Sequence, residues 1–191
     1  MKSLHEAVTT SNELLQACLP IRLKHVIASG ERAQVLTHLS PGRRELVCIS
    51  ATLHDVGYSP EIADARFHPL DGARFLRSQG WGEDITNLVA HHSYSRIEAD
   101  QFGLLDDLES EFPFNAELPH DELCFCDMST GPSGEFLTID ERLADIRARH
   151  KDNGPKLIAL DAAENKLRES YQRVQHQLGC SQQALLHQEG S

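Results

Sequence analysis

Apolar residues recur along this chain at three- and four-residue spacing, and breakers at irregular intervals cut that pattern into helix-length pieces. A first helix is predicted from about Leu4 to Cys18, broken near Pro20. A second covers roughly Ile21 to Leu39, with Ile21, His25 and Ala28 on one face and Ser40-Pro41-Gly42 ending it. The third, Arg43 to about Val56, carries Leu46, Val47, Ile49, Leu53 and Val56 over a wide arc, which places it at the centre of the core. Gly57 closes it, and Ser59-Pro60 opens a loop. A fourth follows from Phe67 to Ser78, and a fifth from about Asp84 to His92 holds Ile85, Leu88 and Val89 at helical spacing.

Residues 96 to 117 are mixed and acidic and read as short helices and loop. Another helix holds Leu123 to Ser129, ended by Gly131-Pro132. Thr138 and Glu141 form a capping box for a helix to about His150. Asn153-Gly154-Pro155 breaks the chain, and a last amphipathic helix runs to about Leu178. It leaves a polar tail, 179–191, that need not be ordered. There is no strand pattern, no internal repeat and no low-complexity segment. An all-α fold follows, as one domain over 1–191.

Composition narrows the function. With 40% hydrophobic and 25% charged residues among 191, a sizeable core can form, and scarce aromatics (6%) favour aliphatic helix packing. A formal charge of −11 works against a nucleic-acid partner, which requires clustered Lys and Arg. A small phosphorylated substrate is compatible with that charge if metal ions supply positive charge locally. No apolar run is long enough to cross a bilayer, so no membrane partner is expected. Met1 to Cys18 does not read as a signal peptide, and the five cysteines lack framework spacing. Cys124 and Cys126 read as buried thiols, and the protein is expected in the cytoplasm.

The 11 histidines carry the candidate chemistry. His5, His38, His120, His150, His176 and His187 lie in polar or terminal contexts and read as solvated. His54 and Asp55 end the most apolar helix, where a buried carboxylate beside an imidazole is costly unless paired. Adjacent helical residues are about 100° apart, so both can reach one ion over the helix end. Alone, the pair reads better as a helix-end cap on neighbouring backbone. His25 on an inner helix face, His68 at a helix start and Asp127 after Leu123-Cys124-Phe125-Cys126 are each weak signals. At His91-His92, helical phase does not decide which ring points inward. Their joint occurrence in helix after helix is what favours a metal site, since divalent ions take imidazole and carboxylate ligands.

These residues also carry a family resemblance. The order His25, His54-Asp55, Asp127 resembles the H…HD…D signature of the HD-domain phosphohydrolases. Arg22-Leu23-Lys24-His25 resembles the entry motif and Leu53-His54-Asp55-Val56-Gly57 the central one. His68-Pro69-Leu70-Asp71-Gly72-Ala73 and Val89-Ala90-His91-His92 resemble the two further histidine motifs of binuclear members. Cys126-Asp127-Met128-Ser129-Thr130-Gly131 resembles the final aspartate motif. The likeness covers roughly residues 20 to 147 and implies an HD-domain helical bundle with an added C-terminal helix.

It further implies one divalent transition metal held by His25, His54, Asp55 and Asp127, and a second held by His68 and His91 with Asp55 bridging. The ions would be Fe, Mn, Co, Ni or Zn. Asp55 and His92 are the implied catalytic residues, His92 either supporting the metal ligands or touching the substrate. Arg22, Arg96 and His92 are candidates for binding the phosphate, with Lys24 a weaker one. Open metal positions would let a metal-activated water hydrolyse a small phosphate ester or nucleotide. Tyr58 stands where many members carry lysine or histidine. Ser93-Tyr94-Ser95 lacks the elements of cyclic-di-GMP phosphodiesterases, which disfavours that substrate. Two rivals use the same fold: a di-iron oxygenase with the same ligand order, and a non-catalytic nucleotide sensor.

Overall fold

The computed structural model describes the backbone of residues 2–189 and the side chains of residues 2–179. Among the described residues the chain forms ten α-helices and no named strand, only an isolated antiparallel bridge between Thr130 and Phe136. The helices are α1 (Leu4–Leu15), α2 (Pro20–Arg32), α3 (Pro41–Leu53), α4 (His68–Ser78) and α5 (Glu83–His91). They continue with α6 (Ser95–Gln101), α7 (Leu105–Glu111), α8 (His120–Met128), α9 (Ile139–Arg149) and α10 (Gly154–Glu189).

Local chemistry accounts for most helix starts. Ser3 and Glu6 form a full capping box before α1, and Thr138 with Glu141 forms the predicted one before α9. Proline begins α2 and α3, where its missing N–H costs nothing. Pro41 therefore starts α3 rather than ending the preceding element, two residues earlier than the pattern suggested. The second helix stops at Arg32, short of Leu39, because a 3-10 turn over Ala33–Val35 lets Leu36 enter the core. Residues 96–117 contain α6 and α7. The last helix continues past Leu178 to Glu189, because nothing after Gly179 breaks it; positions 190–191 of the expected polar tail lie outside the described residues.

Helix α3 lies at the centre, as its wide apolar arc requires. Every residue from Val47 to Leu53 is buried, and α1, α2, α5 and α8 all pack on it. Ile49 and Leu53 join Leu15, Leu70 and Val89 in one core cluster, while Val47 and Ala51 join Leu123, Leu167 and Val174 in another. The second cluster brings α10 against α8. Consequently the ends of α2, α3, α4, α5 and α8 open toward a cavity roofed by α9 and α10.

Candidate metal centre

The pivotal residues sit just past the end of α3. His54 caps it, and at Asp55 the backbone leaves the helix (φ −107°, ψ 8°) for a 3-10 turn over Val56–Tyr58. The helix thus ends at Leu53, not Val56, and this early end lets the two side chains fan over one point. Gly57 makes the turn possible. A Cβ there would lie 2.0 Å from the His68 carbonyl oxygen and 2.6 Å from the Gly72 nitrogen. The close approach of the turn to α4 delivers His68 beside Asp55.

Asp55 spans the cluster. Its Oδ1 lies 3.3 Å from His68 Nε2 and 3.8 Å from His92 Nε2. Its Oδ2 lies 3.6 Å from His54 Nε2 and 4.0 Å from His25 Nε2, and accepts from Arg22. Asp127, delivered by α8, places Oδ1 3.2 Å from His25 Nε2, 3.8 Å from His54 Nε2 and 3.1 Å from Arg142. Its Oδ2 accepts from Ser93 Oγ at 2.5 Å.

The tautomers of two rings follow from their partners. His54 Nδ1 is 2.7 Å from the Ala51 carbonyl oxygen, and His92 Nδ1 is 2.6 Å from that of Val89. A carbonyl offers no proton, so each Nδ1 must carry one, and Nε2 is the atom turned toward the cluster. Burial pushes the His68 and His92 imidazoles down from the ordinary histidine range, which keeps them neutral. With Nδ1 held on the Ala51 carbonyl, His54 turns Nε2 toward two carboxylate oxygens. His25 Nε2 and His54 Nε2 are buried with no hydrogen-bond partner. Converging lone pairs backed by backbone carbonyls are the arrangement a divalent cation stabilises.

The donor atoms are also close enough. Single ligand atoms of His25, His54 and Asp127 lie within 4.8 Å of one another, as do those of His54, Asp55 and His92. These buried groups could hold a metal. Burial works to raise the Asp55 carboxyl, yet the Arg22 guanidinium beside it holds it well below the usual carboxylate range. Asp127 behaves alike: burial opposes ionisation, and its contacts with His25 and Arg142 outweigh it. Both aspartates are thus anionic at neutral pH.

The structure corrects the sequence expectation at His91. Its Nε2 donates to the Phe112 carbonyl oxygen at 2.6 Å, and its ring meets Phe114 and His120, away from the cluster. His92 takes the inward place instead, 3.2 Å from His68 Nε2. The cause is the backbone. After α5 the chain leaves the helix at His92 (ψ 147°), and Ser93 and Tyr94 follow at φ 47° and 61°. Consecutive left-handed non-glycine residues cost on the order of 1–3 kcal/mol each. The turn aims His92 and Ser93 at the same centre.

Arg96 is a second correction. It pairs with Glu109 on the surface, and it does not line the cavity. Lys24 is likewise exposed and off the cavity wall. Arg22 does line it, stacked 3.6 Å over the Tyr58 ring while paired with Asp55.

Several residues of the site carried no readable signal. Lys156 of α10 donates to Tyr58 Oη at 3.0 Å and pairs with Glu98 at 3.3 Å. Tyr58 in turn stacks on His68, with centroids 3.9 Å apart. His150, read as solvated, lines the cavity, and burial with nearby Lys156 and Arg149 pushes it down to about 4. His120 is also drawn inward, stacked on Phe114 at 4.6 Å. The packing of α9 and α10 brings His150 and Lys156 to the cavity. Cys124 and Cys126 are buried free thiols, as read, and burial raises both above the ordinary thiol range.

No helix among the described residues is long and apolar enough to cross a membrane. Comparison with curated proteins and with solved structures finds no match. Comparison with protein families matches the HD domain over residues 22–129, which is more than half of the chain and spans every member of the cluster from Arg22 to Asp127. HD domains bind divalent metals, and this chain belongs to the HD domain family.

Proposed function

We propose that the protein is a metal-dependent phosphohydrolase acting on a small phosphate ester or nucleotide. The observation that carries this reading is Asp55, whose two oxygens face two separate sets of imidazole nitrogens. In this reading His25, His54 and Asp127 hold one cation on the Oδ2 side, and His68 and His92 hold a second on the Oδ1 side. Divalent ions there would acidify water and neutralise charge on a phosphoryl group.

The protein's own groups do the rest. Arg22 and Lys156 present cationic donors at the cavity wall beside the cluster, placed to orient an anionic head. Ser93 and Arg142 hold Asp127 in one rotamer, and the backbone carbonyls of Ala51 and Val89 hold the rings of His54 and His92. Tyr58 packs flat on His68 and closes that side to water. No side chain is required as nucleophile.

The test is metal analysis of the purified protein with a phosphate-release screen over nucleotides and phosphoesters. Release that disappears in both His54→Ala and Asp127→Ala supports the reading, and full activity in either variant sinks it. Oxygen-dependent turnover with a mixed-valent iron signal would replace hydrolysis by oxidation.

A further inference from the structure

The cavity over the cluster has a volume of about 410 Å³, far more than a phosphate group occupies. Its two ends differ in chemistry. At the floor stand Arg22, His25, Asp55, His68, Asp127 and Lys156. Much of the remaining wall is aliphatic, with Leu19, Met128, Ile146, Leu160, Ala163 and Leu167 and with Ile21 at the mouth and 60% exposed, interrupted by Glu98, Arg142, Arg149 and His150.

That wall offers almost nothing for hydrogen bonding. Ala159, Leu160, Ala163 and Leu167 lie inside α10 and Ile146 inside α9, so their backbone groups are engaged within the helices. Pro20 and Pro132 in the lining have no N–H at all. No asparagine or glutamine is among the described lining residues. Apart from His150, the polar side chains of the lining are engaged: Ser93 with Asp127, Tyr94 with Ser170, Tyr58 and Glu98 with Lys156, Arg142 with Asp127 and Arg149 with Asp145. A nucleobase edge buried here would lose its hydrogen bonds to water without replacement, whereas an alkyl body would gain.

We infer that the site takes phosphomonoesters whose organic body is a single apolar chain or ring, head on the cluster and body along the wall of α9 and α10. This inference rests on the hydrolytic reading for the identity of the head group. The selecting residues Ile146, Leu160, Ala163 and Leu167 all lie beyond the span that matches the HD domain.

The experiment is calorimetric titration of the full-length protein, supplied with Mn²⁺, with methyl, butyl, hexyl and octyl phosphate and with adenosine 5′-monophosphate. Phosphate release is measured in parallel. Affinity is expected to rise roughly fourfold per methylene until the cavity fills. In Leu160→Gln and Ile146→Asn the octyl ester should lose about tenfold, with methyl phosphate unchanged. A flat chain-length series overturns the inference, as does adenosine monophosphate binding more tightly than octyl phosphate. A gain retained in both variants also overturns it, because the chain would then be adsorbing elsewhere. If neither variant folds, the chain-length series on the unaltered protein decides alone. A rising series with no phosphate released from any ester sinks hydrolysis and leaves the pocket assignment standing. Release from methyl phosphate and the nucleotide without a chain-length gain does the reverse.

Discussion

Between His91 and His92 the backbone leaves α5, and the two rings end on opposite sides of it. One donates to Phe112 and the other faces His68 and Asp55. His92→Ala is therefore expected to abolish binding of at least one of two cations, while His91→Ala keeps the full metal content. The second variant instead loses about 1–3 kcal/mol of stability through the orphaned Phe112 carbonyl. Metal stoichiometry on the two purified variants separates them, and equal loss in both would count against the assignment. His120 gives a prediction of a different kind. Burial lowers it from about 6.5 to about 4, so the folded protein resists a proton that the unfolded chain accepts. Its contribution is fully present above pH 6.5 and is lost as pH falls toward 4. Urea midpoints at neutral and mildly acid pH should fall further for the native protein than for His120→Gln, and parallel falls would refute this.

At the scale of elements, the site depends on where α3 ends and how closely α4 approaches it. Gly57 sits where a methyl group would strike the His68 carbonyl and the Gly72 amide, both backbone atoms that cannot swing away. Gly57→Ala should destabilise by about 3 kcal/mol and displace His68, lowering activity beyond what stability explains. Chemical denaturation combined with assays well below the melting point reads both effects, and near-native values in each would show that the turn can relax. The capping box before α9 is a milder case. Thr138→Ala removes the acceptor for the Glu141 amide and is expected to cost about 1 kcal/mol, seen as a lower urea midpoint.

For the whole molecule, two buried carboxylates and four converging imidazoles form a charge cluster within a chain of net charge −11. A cation that binds only the folded state stabilises it by mass action, about 2.7 kcal/mol at one hundred times its dissociation constant. That corresponds to a rise of roughly 5–10 °C in melting temperature for a chain of this size. Melting the chelator-treated protein with and without added Mn²⁺ measures it. No shift with any first-row divalent ion would argue that the cluster is a purely protein-internal network.

Periodicity and breakers determined the helices, because an apolar stripe at helical spacing has to be buried whatever it packs against. The central place of α3 followed from the breadth of its stripe, and the capping box at Thr138 was local chemistry. The set His25, His54, Asp55, His68 and Asp127 was legible through its resemblance to the HD-domain motifs, since each residue alone read as easily as a cap or a core side chain. Folding alone decided which of His91 and His92 turns inward, because that depends on ψ at one residue and on left-handed backbone at Ser93 and Tyr94, to which side-chain type gives no guide. It also decided that Lys156 and the aliphatic face of α10 complete the cavity, and that Arg96 does not. Those contacts join residues distant in the chain, such as Tyr58 and Lys156, and come into being only when α10 docks on the core.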